Sequence, residues 1–141
     1  MKALSLESLI FLAGIGHVLL SVGSLLIPKL LSWKSELVGL KPLFRQMFWN
    51  YAGYILATNL FFGIISVANP AALTDRSFLA IALTAFISIY WVGRIAIQLF
   101  YFDRSSAPKG TVYTIGEILL MSSFLFFSVV YGYALVINLS L

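Results

Sequence analysis

The sequence predicts an all-α integral membrane protein, built as a four-helix transmembrane bundle. Three observations predict it. Four long apolar runs fill the 141 residues, each close to or above the ~20 residues that cross ~30 Å of hydrocarbon. The composition is 61% hydrophobic and 10% charged, whereas soluble domains are about half apolar and about a quarter charged. Prolines 28, 42, 70 and 108 all fall between the runs, where a missing backbone N–H costs least.

The first span is expected over about 6–27, ended by Pro28-Lys29. More membrane sequence follows it, so it reads as a retained helix rather than a cleaved leader. The connection 29–43 carries Leu30, Trp33, Leu37 and Leu40 at helical spacing, with Lys29, Ser32 and Glu36 on another face. It reads either as a short interfacial helix anchored by Trp33 or as an ordinary apolar turn. The second span is expected over about 45–68 and ends at Asn69-Pro70, followed by a tight polar turn. The third covers about 77–102, then a loop rich in Ser, Pro and Gly, and the fourth covers about 111–139. The whole chain reads as one domain.

Four spans place both termini on one side. Lys29, Lys34, Lys41, Arg45, Arg104 and Lys109 lie in the first and third connections, against Lys2 and Arg76 on the other side. That bias predicts the first and third connections in the cytoplasm and both termini outside, with the inner plasma membrane as location. The positive surplus sits mostly in these connections and fits anionic lipid headgroups, not nucleic acid. There is no cysteine, which excludes disulfides, thiolate nucleophiles and Cys-ligated metals.

Each span carries polar side chains that hydrocarbon tolerates poorly. Gly14, His17, Ser21 and Ser24 form one stripe in the first span. Gln46, Asn50, Gly53 and Ala57 align in the second. Thr84, Ile87, Trp91, Arg94, Gln98 and Tyr101 follow in the third, and Thr114, Glu117, Met121, Phe124 and Ser128 in the fourth. Turned inward, these stripes predict a polar cluster of His17, Asn50, Arg94, Gln98 and Glu117 on the cytoplasmic half, with Tyr101 and Tyr113 near its mouth. Asn59 is expected to stand apart, on the face of its helix opposite Asn50. At the rise of an α-helix, Arg94 lies ~13 Å and His17 ~16 Å from the cytoplasmic ends of their spans. An unpaired charge at that depth is very costly, which predicts an Arg94–Glu117 ion pair between neighbouring antiparallel helices.

For each residue a structural role stands beside a functional one. Arg94 and Glu117 either form a binding or proton-handling site for an anionic or quinone-like group or fix helix register, with Arg94 snorkelling toward the cytoplasm. His17 is a hydrogen-bonded interhelical residue or a proton relay; a lone histidine supports neither a metal nor a haem site. Asn50 and Asn59 suit interhelical bonding. Asn138-Leu139-Ser140 matches a glycosylation acceptor by chance. No phosphate loop, Ser/His/Asp set or carboxylate cluster is present, and neither metal nor cofactor is expected.

Gly16-His17 through Pro28, Pro42-Leu43-Phe44-Arg45 leading into Tyr51-Ala52-Gly53-Tyr54, and Arg94 before a short loop resemble the DoxX-like group of small four-helix membrane proteins. The resemblance covers residues 14–104. It implies a small membrane subunit of the kind associated with quinone-linked oxidoreductase complexes. No residue here matches a defined catalytic or quinone-binding motif of that group, so the resemblance assigns no site. The leading expectation is a non-catalytic membrane subunit or binding module. It would hold an amphipathic lipid, a quinone-like molecule or a partner helix at His17, Asn50, Arg94, Gln98, Tyr101 and Glu117, alone, as a homo-oligomer or within a larger membrane complex. The alternative is a proton-coupled transporter, dimeric, with Glu117 as coupling carboxylate. A third is a lipid-modifying intramembrane enzyme using His17 and Glu117 as acid and base.

Overall fold

A computed structural model describes residues 5–103, 105 and 108–140. Lys2 and Arg104, which entered the charge bias, lie outside the described residues. Among the described residues six α-helices form: α1 (Leu6–Ser24), α2 (Ile27–Leu30), α3 (Trp33–Glu36), α4 (Pro42–Ala68), α5 (Phe78–Ala96) and α6 (Thr111–Leu139). A 3-10 turn at Pro70–Leu73 follows α4, and α5 continues into a π-helical turn at Ile97–Tyr101. Four of these helices, α1, α4, α5 with its π turn, and α6, are long and apolar enough to cross a membrane. The chain is an integral membrane protein with a four-helix bundle.

Local chemistry sets the element ends. Ser5 caps α1 by accepting from the Ser8 N–H at 3.1 Å, and Ser77 caps α5 by accepting from the Ala80 N–H at 3.1 Å. Each satisfies an N–H that the helix itself leaves without an acceptor. The Asp75 carboxylate accepts from the Ser77 backbone N–H at 2.9 Å. Its bonds to the Ser77 hydroxyl and backbone hold it below the usual carboxylate range. Asp103 is held low in the same way by Ser105. Pro42 occupies the first turn of α4, where its fixed φ suits the helix. The connection 29–43 is neither one interfacial helix nor a plain turn. Ser32 adopts a left-handed conformation, φ 54°, and divides it into the two short helices α2 and α3.

The long helices associate as two antiparallel pairs, α1 with α4 and α5 with α6, joined along α1 and α6. One end of the bundle, here the basic end, carries α2, α3 and the loop after α5. The other, the Pro70 end, carries the α4–α5 connection. Where α1 crosses α4, glycines let the backbones meet. A Cβ on Gly14 would lie 2.8 Å from the Ser66 Cβ and 2.8 Å from a Val67 methyl; one on Gly63 would lie 3.0 Å from the Gly14 carbonyl oxygen. Small residues at a crossing give the van der Waals contact that holds helices together in lipid.

The core fills only part of this length. Buried positions run from Ile10 to Ser21 in α1, Asn59 to Ser66 in α4, Ala80 to Trp91 in α5 and Phe124 to Asn138 in α6. All lie on the Pro70 side of one level. Toward the basic end the long helices bury no side chain completely. Gly14→Val or Gly63→Val should separate α1 from α4 and destabilise the bundle by about 1–3 kcal/mol. Thermal unfolding in detergent should show this as a lowered midpoint, with Gly53→Ala, which meets nothing within 4 Å, as the unaffected control.

Candidate functional site

His17 is fully buried, and all four long helices meet around it. Its ring stacks on Phe127 of α6 at 3.9 Å between centroids. Phe62 of α4 and Tyr131 of α6 present edges at 5.8 and 5.6 Å, and Trp91 of α5 lies tilted at 5.4 Å. Both ring nitrogens are bonded. Nδ1 lies 2.8 Å from the Ala13 carbonyl oxygen, and the Trp91 indole N–H reaches Nε2 at 2.9 Å. A carbonyl only accepts and an indole only donates, so the proton must sit on Nδ1 and the lone pair on Nε2. The arrangement admits one form of the ring: neutral, with a single tautomer. Because Nε2 is spoken for by Trp91, the ring has no nitrogen left for a metal or for relaying a proton. Among the described residues no three His, Cys, Asp or Glu side chains gather to hold a metal ion.

Two further ties close the Pro70 half. The Ser66 and Tyr131 hydroxyls bond at 2.6 Å, joining α4 to α6. Asn138 uses both ends of its amide. Its Nδ2 donates to the Leu73 carbonyl at 2.8 Å and to the Thr84 hydroxyl at 3.4 Å, while its Oδ1 accepts from the Arg76 backbone N–H at 3.1 Å. The side chain that matches a glycosylation acceptor in sequence is therefore buried and occupied as a clamp.

The polar residues below the core are arranged differently from the predicted cluster. Arg94 is half-buried and donates to Gln98 at 3.1 Å, and its guanidinium lies 5.1 Å from the ring centroids of both Phe102 and Phe124. The side chain thus runs down its own helix toward the basic end. Among the described residues no ion pair joins Arg94 to Glu117. The expectation of that pair is corrected: an amide four residues on and two aromatic faces accommodate the guanidinium. Glu117 is half-buried on α6, two turns before Phe124. Phe124 in turn stacks on Trp91 at 5.0 Å, so the Arg94 site rests directly on the aromatic core.

The second-span stripe is also corrected. Gln46, Asn50, Gly53 and Ala57 are exposed, and α4 turns Asn59, Phe62, Gly63 and Ser66 inward instead. The close fit of Gly63 against α1 decides the rotation, and it exchanges the two asparagines. Asn50 faces outward, while Asn59 is only 8% exposed. Asn59 Oδ1 is the one buried side-chain polar atom among the described residues with no hydrogen-bond partner. Gly63 lies against His17, and Asn59 is one turn from Gly63 toward the basic end. Arg94 is one turn from Trp91 in the same direction. Asn59 and the backbone of Arg94 therefore both lie just where the core stops, with the guanidinium reaching on toward the basic end. Tyr101 is 81% exposed and belongs to no cluster of polar groups, while Tyr113 reaches the Leu30 carbonyl at 3.5 Å and ties α6 to α2.

No family model, curated protein or solved structure matches the chain. Sequence reasoning placed Trp91 on the His17 face of the bundle but missed its role. The available signal was chemical: a buried indole needs an acceptor, and a lone buried histidine offers one. Replacing His17 by Phe strands the indole N–H, and Trp91→Phe strands Nε2; each should cost about 1–3 kcal/mol. In a double-mutant cycle the two losses should fall short of additivity by about 1 kcal/mol, read from unfolding midpoints.

Proposed function

We propose that the protein is a non-catalytic membrane binding module that holds an amphipathic molecule, a lipid or quinone-like compound, at the level where its core ends. The observation that carries this reading is the Asn59 Oδ1. A buried acceptor without a donor costs on the order of 1–3 kcal/mol, and a ligand hydroxyl or N–H removes that cost. Arg94, whose guanidinium lies on the basic side of that boundary, supplies fixed positive charge for an oxygen-bearing headgroup, and the rings of Phe102 and Phe124 beside it offer apolar contact. Gln98 orients the guanidinium. The resemblance to DoxX-like subunits supports the same class of ligand. In this reading the basic end faces the cytoplasm and the membrane is the inner plasma membrane, as the Lys and Arg distribution supports.

His17 takes no part in binding, because both its nitrogens are bonded within the core. The same commitment argues against an enzyme that uses it as acid or base. Purification in mild detergent followed by native mass spectrometry tests the proposal. The wild-type chain should carry one amphiphile, and Arg94→Leu should weaken its retention about 10- to 100-fold through loss of charge-assisted bonds. Asn59→Leu should weaken it as well while leaving the unfolding midpoint unchanged or raised, since the orphaned acceptor is gone. A wild-type protein with no bound mass, or equal retention in Arg94→Leu, would sink the reading.

A further inference from the structure

Outside the bundle interior, a groove of about 740 Å³ opens between α3 and the start of α4, lined by Lys34, Val38, Arg45, Gln46, Trp49 and Asn50. We propose that this groove binds the phosphate headgroup of an anionic phospholipid, with Lys34 and Arg45 as the charged contacts and Gln46 and Asn50 as amide donors. Arg45, Gln46, Trp49 and Asn50 recur at i, i+1, i+4 and i+5, so α4 presents them as one strip. Gln46, Trp49 and Asn50 of the strip are exposed, and Gln46 and Asn50 lie on the side of α4 away from Asn59 and Gly63. The strip lies in the first turns of a helix long enough to span the membrane, the depth of phospholipid headgroups, which makes a membrane lipid its occupant in preference to a soluble anion.

Three observations carry the assignment. Two cations line the groove and no carboxylate does; Glu36, the acidic residue of α3, is not among the lining residues. Among the described residues neither Lys34 nor Arg45 makes a side-chain hydrogen bond or ion pair, so both charges are available. The walls are also fixed in place. Trp33 meets Phe48 edge-on at 4.9 Å and Trp49 at 5.8 Å, and these contacts seat α3 against α4. Trp49, partly exposed beside the cations, suits the headgroup depth where indoles concentrate. Val38, largely exposed at the rim, offers apolar contact to the start of an acyl chain. This site is independent of the Arg94 level and shares no residue with it.

The test uses the full chain reconstituted into phosphatidylcholine vesicles, with a fraction of the lipid replaced by chain-brominated phosphatidylglycerol or chain-brominated phosphatidylcholine. Quenching of Trp33 and Trp49 reports which lipid sits in the groove, while Trp91, enclosed in the core, provides a constant background. The brominated anionic lipid should quench at markedly lower mole fraction than the neutral one. Lys34→Gln and Arg45→Gln should each reduce that preference roughly fivefold, the usual effect of one basic side chain near an anionic surface. The double variant should abolish it, and Lys109→Gln, a basic residue elsewhere at the same end, should not change it. Should the double variant fail to fold, the Lys34→Gln single variant, at an exposed position, carries the same test. Equal quenching by both lipids in the wild type, or an undiminished preference in the Gln variants, would overturn the proposal. So would loss of the preference to inorganic phosphate at constant ionic strength, because the groove would then take a free anion.

Discussion

The hydrogen bond from the Trp91 indole to His17 governs the architecture, because its chemistry permits one geometry only. The Ala13 carbonyl fixes the proton on Nδ1, and this leaves Nε2 as an acceptor whose donor α5 supplies. In hydrocarbon no water is present to stand in for the donor, so a bundle that misplaced α5 by one turn would strand both groups. The rings of Phe62, Phe127 and Tyr131 then pack on the imidazole. One polar contact thereby sets the relative height of all four long helices.

From this level the bundle divides into unequal halves. Toward Pro70, every helix contributes buried side chains, and the Ser66–Tyr131 and Asn138 bonds satisfy the polar groups among them. Toward the basic end, the long helices keep only half-buried contacts: Arg94 bonds along its own helix, Tyr113 reaches the Leu30 carbonyl, and the Asn59 Oδ1 has no partner. The rigid half positions Arg94 through the stack of Phe124 on Trp91. The looser half is where that guanidinium and the Asn59 carbonyl lie. The division of labour follows from packing alone.

Much of the fold was legible in the sequence because hydropathy and proline placement depend on length and composition, which a linear reading measures directly. The α1 stripe was legible for a similar reason: Gly14, His17 and Ser21 stand out at helical spacing against a leucine-rich background, and all three are buried. The rotation of α4 was not. Asn50 and Asn59 lie on different faces, each with a glycine nearby, and only the fit of Gly63 into α1 chooses between them. The Arg94–Glu117 expectation weighed the cost of a buried charge correctly but treated arginine as a fixed point. Its reach toward Gln98 and Phe102, with Phe124 of α6 beside it, resolves the cost without a carboxylate.

Asn138 has a consequence for biosynthesis. Synthesis runs from the N-terminus, so α1 and α4 enter the membrane first and can cross at their glycines while the Nε2 of His17 still lacks its donor. Trp91 meets that need when α5 arrives. The Leu73 carbonyl and the Arg76 N–H wait longer, since their shared amide lies at the end of α6, 65 and 62 residues downstream. Insertion thus proceeds as a succession of unmet polar groups, each filled by a later helix, and the loop made second is the last to be secured.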